Sequence, residues 1–254
     1  MIRRLLRDGK TRAREGAFVV EGAKSCEEAI RHRPQTVVSL ILSPQYLHME
    51  DDVGRTARVG LTVPQFVCSD ATFATLSDVP APQGIMAVIC QPRWDETRVL
   101  EQPKLMGIFG DRLQDPANVG AIIRTAAALD LTGVWLSPDS ADPFGPKAVR
   151  AASGAVLSLP VFREADIRDL ARHRCSIYSA LVPSPDTVSL RSLRAVPSRL
   201  MIAVGNEGEG LAQDIVRLST VKFTIPLSKG VESLNVAATA AIAAFYLSTL
   251  QANI

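Results

Sequence analysis

The sequence is poor in the residues that build disulfide scaffolds, metal centres and membrane spans. Its four cysteines (Cys26, Cys68, Cys90 and Cys175) lie far apart and form no C-x-x-C pair, and its three histidines (His32, His48 and His173) are equally scattered. That spacing argues against a structural zinc site, so no metal is expected. The cysteines read as reduced, mostly buried thiols of a cytoplasmic protein. The longest apolar stretch, Val236 to Leu247, is interrupted by Thr239. It falls short of the roughly 20 apolar residues that cross a bilayer, so no membrane partner is expected. The basic amino terminus is not followed by the apolar core of a secretory signal. Aromatics make up only 5% of the chain against 47% apolar residues in all, which suits an α/β protein with an aliphatic core. Charge of either sign is also scarce in the balance: 28 basic less 26 acidic residues leave +2, which neither requires nor excludes nucleic acid.

The distribution of charge says more than its total. Between Met1 and Arg14 stand Arg3, Arg4, Arg7, Lys10, Arg12 and Arg14, opposed only by Asp8. Such a run is either a solvated basic arm or one that contacts phosphates and releases their counterions.

Two segments follow. From Phe18 to about Gln91, helix-like and strand-like stretches alternate: Gly22 to Arg31 has apolar residues at helical spacing, while Val37 to Leu42, Leu61 to Val67 and Ile85 to Ile89 read as strands. Ser69 or Asp70 is placed to cap a short helix through Leu76. The polar, proline-bearing stretch after Gln91 reads as a linker. The division expected is residues 1–93 as a small α/β domain, 94–103 as linker and 104–254 as a second α/β domain. In the latter, strands at Leu105–Phe109, Gly133–Leu136, Ser176–Leu181, Leu200–Val204 and Val221–Ile225 alternate with helices at Asn118–Leu129, Ala165–Arg172 and Leu234–Leu250. That alternation implies a parallel sheet.

Three loops at strand ends carry the chemistry. The first, Gly110 to Ala128, offers Asp115 as N-cap and Pro116 as first helical residue, with Arg124 off the apolar stripe and four residues beyond Gly120. An arginine so placed is a solvated side chain or an anion contact. The second, Val204-Gly205-Asn206-Glu207-Gly208-Glu209-Gly210, spaces its glycines as G-x-x-G-x-G, matching neither the dinucleotide fingerprint nor the P-loop. It is a tight turn, or the seat of a neutral or cationic ligand, because Glu207 and Glu209 would repel phosphates. The third, Ile225 to Ala238, places Ser233 as a candidate cap for an alanine-rich helix.

In order, Asp-Pro-x-Asn-x-Gly-x-x-x-Arg (from Asp115), Gly-Asn-Glu-Gly-x-Gly-Leu (from Gly205) and Ile-Pro followed by Ser-Leu-Asn-Val (Ser233 to Val236) resemble the three signature motifs of the SpoU/TrmH family of RNA ribose 2′-O-methyltransferases. The resemblance covers roughly Leu105 to Leu250. The stretch Arg14 to Gly22 is similar to the opening of the ribosomal-protein-like RNA-binding domain that many members carry.

The resemblance implies a catalytic domain tied in a deep trefoil knot, which periodicity alone does not reveal and which general connection rules disfavour. It implies S-adenosylmethionine as cofactor, held at Leu181, Val204, Gly205, Ile225, Leu234 and Asn235. It makes Arg124 the catalytic arginine, supported by Asn118, Glu207, Ser233 and Asn235, and makes Arg150, with Arg12 and Arg14, candidate RNA contacts. Asn118 and Arg124 stand about 120° apart on an ideal helix. They converge only if Asn118 lies in the loop before the helix or a neighbouring subunit contributes. A homodimer acting on structured RNA, ribosomal rather than transfer RNA, is the expected assembly. Rival readings are a non-catalytic RNA-binding factor on the same fold, a base-nitrogen methyltransferase with the same knot, and a nucleotide-dependent oxidoreductase. The last predicts a G-x-G-x-x-G segment that the chain lacks.

Overall fold

The computed structural model describes residues 1–253 of the 254-residue chain. They form two compact units: Met1–Arg93 together with Asp142–Leu157, and Trp94–Ala141 together with the chain from Ser158 onward. The segment Asp142–Leu157, placed in the second domain by the sequence division, thus folds with the first unit.

In the first unit, strands β1 (Ala17–Glu21), β2 (Val37–Leu42), β3 (Gln65–Val67) and β4 (Ile85–Cys90) form a sheet in the order β1-β4-β2-β3. β4 runs antiparallel to both neighbours, and only β2 and β3 are parallel. The third strand is shorter than Leu61 to Val67, since ladder pairing begins only at Gln65, directly after Pro64. Ser69 does cap the helix Asp70–Leu76, accepting a hydrogen bond from the Thr72 N–H. The helix Pro146–Ala152 packs on β1, and Phe144 before it meets Phe18 with ring centroids 5.2 Å apart.

The second unit is built on a seven-stranded, all-parallel sheet. Its strands are β5 (Leu105–Gly110), β6 (Gly133–Leu136), β7 (Val161–Phe162), β8 (Ser176–Ala180), β9 (Val188–Ser189), β11 (Arg199–Val204) and β12 (Val221–Thr224), in the order β7-β6-β5-β11-β8-β12-β9. A separate parallel pair joins β10 (Ala195–Pro197) to β13 (Gln251–Asn253). The core is centred on Trp135, fully buried and stacked on Phe162 at 5.1 Å. Gly107 makes room for the indole, because a Cβ there would lie 2.5 Å from Trp135 Cζ3. The indole N–H donates to Glu96 at 2.9 Å. Glu96 begins the helix Glu96–Leu100, so the stretch expected to be a linker is ordered and belongs to this unit.

Two helices position the site. Pro116–Ala128 starts where the sequence suggests: Asp115 accepts from the Ala117 N–H, Pro116 needs no partner, and Val119, Ile122, Ile123 and Ala126 are buried. The last helix, Val236–Ser248, packs against that helix and against β11 through Ala240, Ala243, Ala244 and Leu247. It is capped by Asn235, whose Oδ1 accepts from Ala237 and Ala238, and not by Ser233. Ser233 sits two residues too early, exposed, in the irregular loop after β12. Among the described residues no helix is long and apolar enough to cross a membrane.

Candidate active site at the sheet switch point

Along the sheet, the chain leaves β5 toward β6 on one side and leaves β11 toward β12 on the other. β5 and β11 are nevertheless adjacent, so their carboxyl ends flank the crevice where open α/β sheets take ligands. Because β11, β8 and β12 are consecutive neighbours, the sheet delivers Val204 and Gly205, Leu181, and Ile225 to one edge. Leu181 is held there by its N–H to Phe223 O at 2.9 Å.

The turn after β11 closes on itself. Asn206 and Gly210 exchange both backbone hydrogen bonds, at 3.1 and 2.9 Å, and the Asn206 side chain accepts from the Gly208 and Glu209 N–H groups. Gly205 is sterically required: a Cβ would lie 2.3 Å from both Gly210 C and Leu211 N, which are backbone atoms with nowhere to go.

Glu207 reaches from this turn to the start of the helix Pro116–Ala128. It accepts from Gln114 N at 3.1 Å, Asp115 N at 3.2 Å and Asn118 Nδ2 at 2.8 Å. Asn118 in turn accepts from Asn235 Nδ2 at 3.0 Å. The amide orientations enforce one another. A carboxylate only accepts, so Asn118 presents its NH₂ to Glu207; helix N–H groups only donate, so Asn235 presents its oxygen to Ala237 and Ala238; the two remaining amide ends then match. One relay of side chains thus joins all three sequence motifs. Burial raises the Glu207 pKa, but the hydrogen bonds from Asn118, Gln114 and Asp115 outweigh it and hold the carboxyl below its ordinary 4.5. The contribution to stability is therefore complete above 4.5 and is lost as pH falls through the lower folded value. Glu207→Gln, which does not titrate, should lose less of its thermal midpoint than the wild type as the pH falls below the ordinary 4.5. Equal acid slopes would remove Glu207 from this role.

The second tie between the loops is Arg112, which sequence reasoning missed. It is a non-glycine residue in the left-handed region, φ 49°. Its N–H donates to Ser137 Oγ at 2.7 Å, and its carbonyl accepts from Asn206 Nδ2 at 2.9 Å and Gln114 Nε2 at 3.0 Å. Its guanidinium bonds Asp111, Glu209 and Gly210 O. Asp111 is itself buried and accepts from Ala212 N at 2.9 Å. No sequence signal marks Arg112 beyond its place in the first motif, because Ser137, Asn206, Glu209 and Gly210 reach it from the ends of β6 and β11.

Other predicted residues stand apart. Asn118 lies inside the helix, not in the loop before it, so Arg124 projects from a different face. Arg124 is exposed and makes no side-chain hydrogen bond or ion pair among the described residues. Ser233 and Leu234 lie in the loop between β12 and the last helix and make no side-chain hydrogen bond to the relay. In the first unit Arg14 and Arg150 are exposed, and Arg14 bonds Glu15. Arg12 is not available to RNA. It is 6% exposed, pairs with Asp142 at 2.7 Å and donates to Leu5 O and Leu6 O, so it ties the basic helices to the segment Asp142–Leu157. A shallow pocket of about 310 Å³ opens at the opposite, amino-terminal end of β5 and β11, beside Lys104, Asp130 and Leu250, and contains none of the predicted residues.

A family model described as the SpoU rRNA Methylase family matches residues 106–245, and one described as the MRM3-like substrate binding domain matches residues 2–87. The chain is 28% identical over 243 residues to the 23S rRNA (guanosine(2553)-2′-O)-methyltransferase RlmP of Bacillus subtilis, a match covering 94% of this chain and 91% of that one. It is 29% identical to slr1673 of Synechocystis sp., an uncharacterized tRNA/rRNA methyltransferase; that match covers 69% of this chain and 64% of that protein. The AdoMet-bound rRNA methyltransferase from Sinorhizobium meliloti superposes with a TM-score of 0.80 at 25% identity, covering 96% of this chain and 91% of that one. The parallel sheet and its junction of three loops therefore define an α/β RNA methyltransferase. With the family model spanning more than half its length, the chain belongs to the SpoU rRNA Methylase family.

Proposed function

We propose that this protein transfers the methyl group of S-adenosylmethionine to a ribose 2′-hydroxyl of ribosomal RNA. The observation that carries the reading is the relay Glu207–Asn118–Asn235, which draws three loops together at the sheet's switch point. Family membership and the rRNA 2′-O-methyltransferase among the relatives support the substrate class.

The residues present suit the cofactor. Leu181, Ile225 and Leu234 are half-buried and offer apolar surface for an adenosyl group, Val204 lies buried beneath them as the end of β11, and Gly205 and Asn235 offer backbone groups beside them. Glu207 is held ionised, and the guanidinium that reaches the turn from the loop after β5, Arg112, is already engaged by carboxylates. That charge balance favours a sulfonium over a phosphate-bearing ligand. When bound, the cofactor supplies a methyl group on a good leaving group, so the protein's task is alignment of the attacking oxygen. Arg124 is free to hold a phosphate beside the ribose and polarise its hydroxyl. A guanidinium stays protonated in proteins, so Arg124 is not itself the base.

Asn118 and Arg124 stand six positions apart, about 9 Å along the helix and about 120° around it. The site is then completed by a second copy of the chain. Ile242 and Phe245, 42% and 62% exposed on the last helix, give that homodimer an apolar face. The loop after β12 reaches Asn118 and the chain returns to pair β13 with β10, which supports the trefoil threading the family implies. The first unit presents RNA through Arg14 and Arg150, and the protein works in the cytoplasm. Mapping ribose methylation in RNA from cells with and without the protein tests the reading. A 2′-O-methyl lost from ribosomal RNA is the expected result; loss from tRNA alone, or no loss, would reject it.

A further inference from the structure

Arg112 is the residue in this junction whose conformation is hardest to explain by packing. Left-handed backbone at a long side chain is unfavourable, and such positions persist only where the surroundings over-determine them. Here they do: the N–H is fixed by Ser137, the carbonyl by Asn206 and Gln114, and the guanidinium by buried Asp111, by Glu209 and by Gly210 O. The consequence is geometric. Arg112 belongs to the loop that leads into the helix of Asn118, while Asn206, Glu209 and Gly210 belong to the turn that follows Gly205.

We infer that Arg112 is a positioning residue for methyl transfer, its guanidinium setting the separation between the Gly205 turn and the loop that delivers Asn118. The inference rests on the cofactor reading above. A planar fork suits the task, since it bonds a carboxylate on its own loop and a carbonyl on the other loop at once, which an ammonium does not match. The Glu207 relay ties the same two loops from the helix side, so the turn is held at two points and its tilt is fixed.

Backbone and side-chain roles separate cleanly by substitution. Arg112→Gly keeps the left-handed turn without strain and removes only the guanidinium. Arg112→Lys keeps the charge without the fork. For the glycine variant we expect a modest fall in the thermal midpoint, because buried Asp111 loses its counter-ion but keeps the Ala212 N–H and the Ser137 hydroxyl. In addition we expect a change that instability alone does not cause. The dissociation constant for S-adenosylhomocysteine and the KM for S-adenosylmethionine should rise about tenfold, about 1.4 kcal/mol, while KM for RNA stays unchanged. The lysine variant should fall between. A purely structural role would lower the melting temperature and the active fraction and leave both KM values alone. Calorimetric titration of S-adenosylhomocysteine into wild type and variant keeps the two claims apart. If the wild type does not bind, the cofactor reading fails. If both bind equally, Arg112 is not a positioning residue.

Discussion

Arg124→Ala is expected to lower methyl transfer to ribosomal RNA by roughly 10³-fold, the order lost when a donor that stabilises a developing oxyanion is removed. The same variant should bind S-adenosylhomocysteine within about tenfold of wild type, about 1.4 kcal/mol. Both halves follow from where the residue sits. It is exposed, it supports no other side chain among the described residues, and it projects away from the relay that joins the cofactor-side loops. Removing it therefore costs the fold little and the cofactor seat little. Arg124→Lys should recover part of the rate, since the charge remains but the two-pronged grip on phosphate does not. Steady-state rates with tritiated cofactor, beside a calorimetric titration, separate the two effects. An alanine variant that turns over at the wild-type rate would end the catalytic assignment.

Gly205→Ala should act on the opposite half of the site. The added methyl would meet Gly210 C and Leu211 N at 2.3 Å, and both are backbone. The turn Asn206–Gly210 must then shift, and with it Glu207 and the contact to Arg112. Overpacking of this kind costs about 1–3 kcal/mol, so cofactor affinity should fall by about 10- to 100-fold while RNA binding through the first unit is kept. Titration of S-adenosylhomocysteine and a gel-shift assay with ribosomal RNA fragments read the two quantities independently. Equal cofactor affinity in the variant would place the ligand elsewhere.

Local chemistry was largely legible in the sequence. Asp115 and Pro116 announce a helix start by their own side chains, and the glycines after β11 announce a turn that a Cβ would fill. What depended on distant partners was not. Asn235 and Ser233 are both competent caps, and only the position at which the chain reaches the last helix selects Asn235. Arg12 looks like its exposed neighbours in a basic run, yet Asp142, 130 positions later, draws it inside. That same contact helps explain why the segment Asp142–Leu157 folds with the first unit although it lies between strands of the second. Arg112 is the extreme case, because the partners that join it to other loops are Ser137 and the turn after β11. Nothing within its own stretch of sequence predicts them.

The central claim is that the junction at the ends of β5 and β11 directs a methyl group to a ribose oxygen. Purified protein incubated with methyl-labelled S-adenosylmethionine and unmodified ribosomal RNA, followed by digestion to nucleosides and mass spectrometry, tests it most directly. Label in a single 2′-O-methylnucleoside, formed roughly 10³-fold more slowly with Arg124→Ala, is the predicted result. Label on a base, or transfer that continues at the wild-type rate without Arg124, would contradict it.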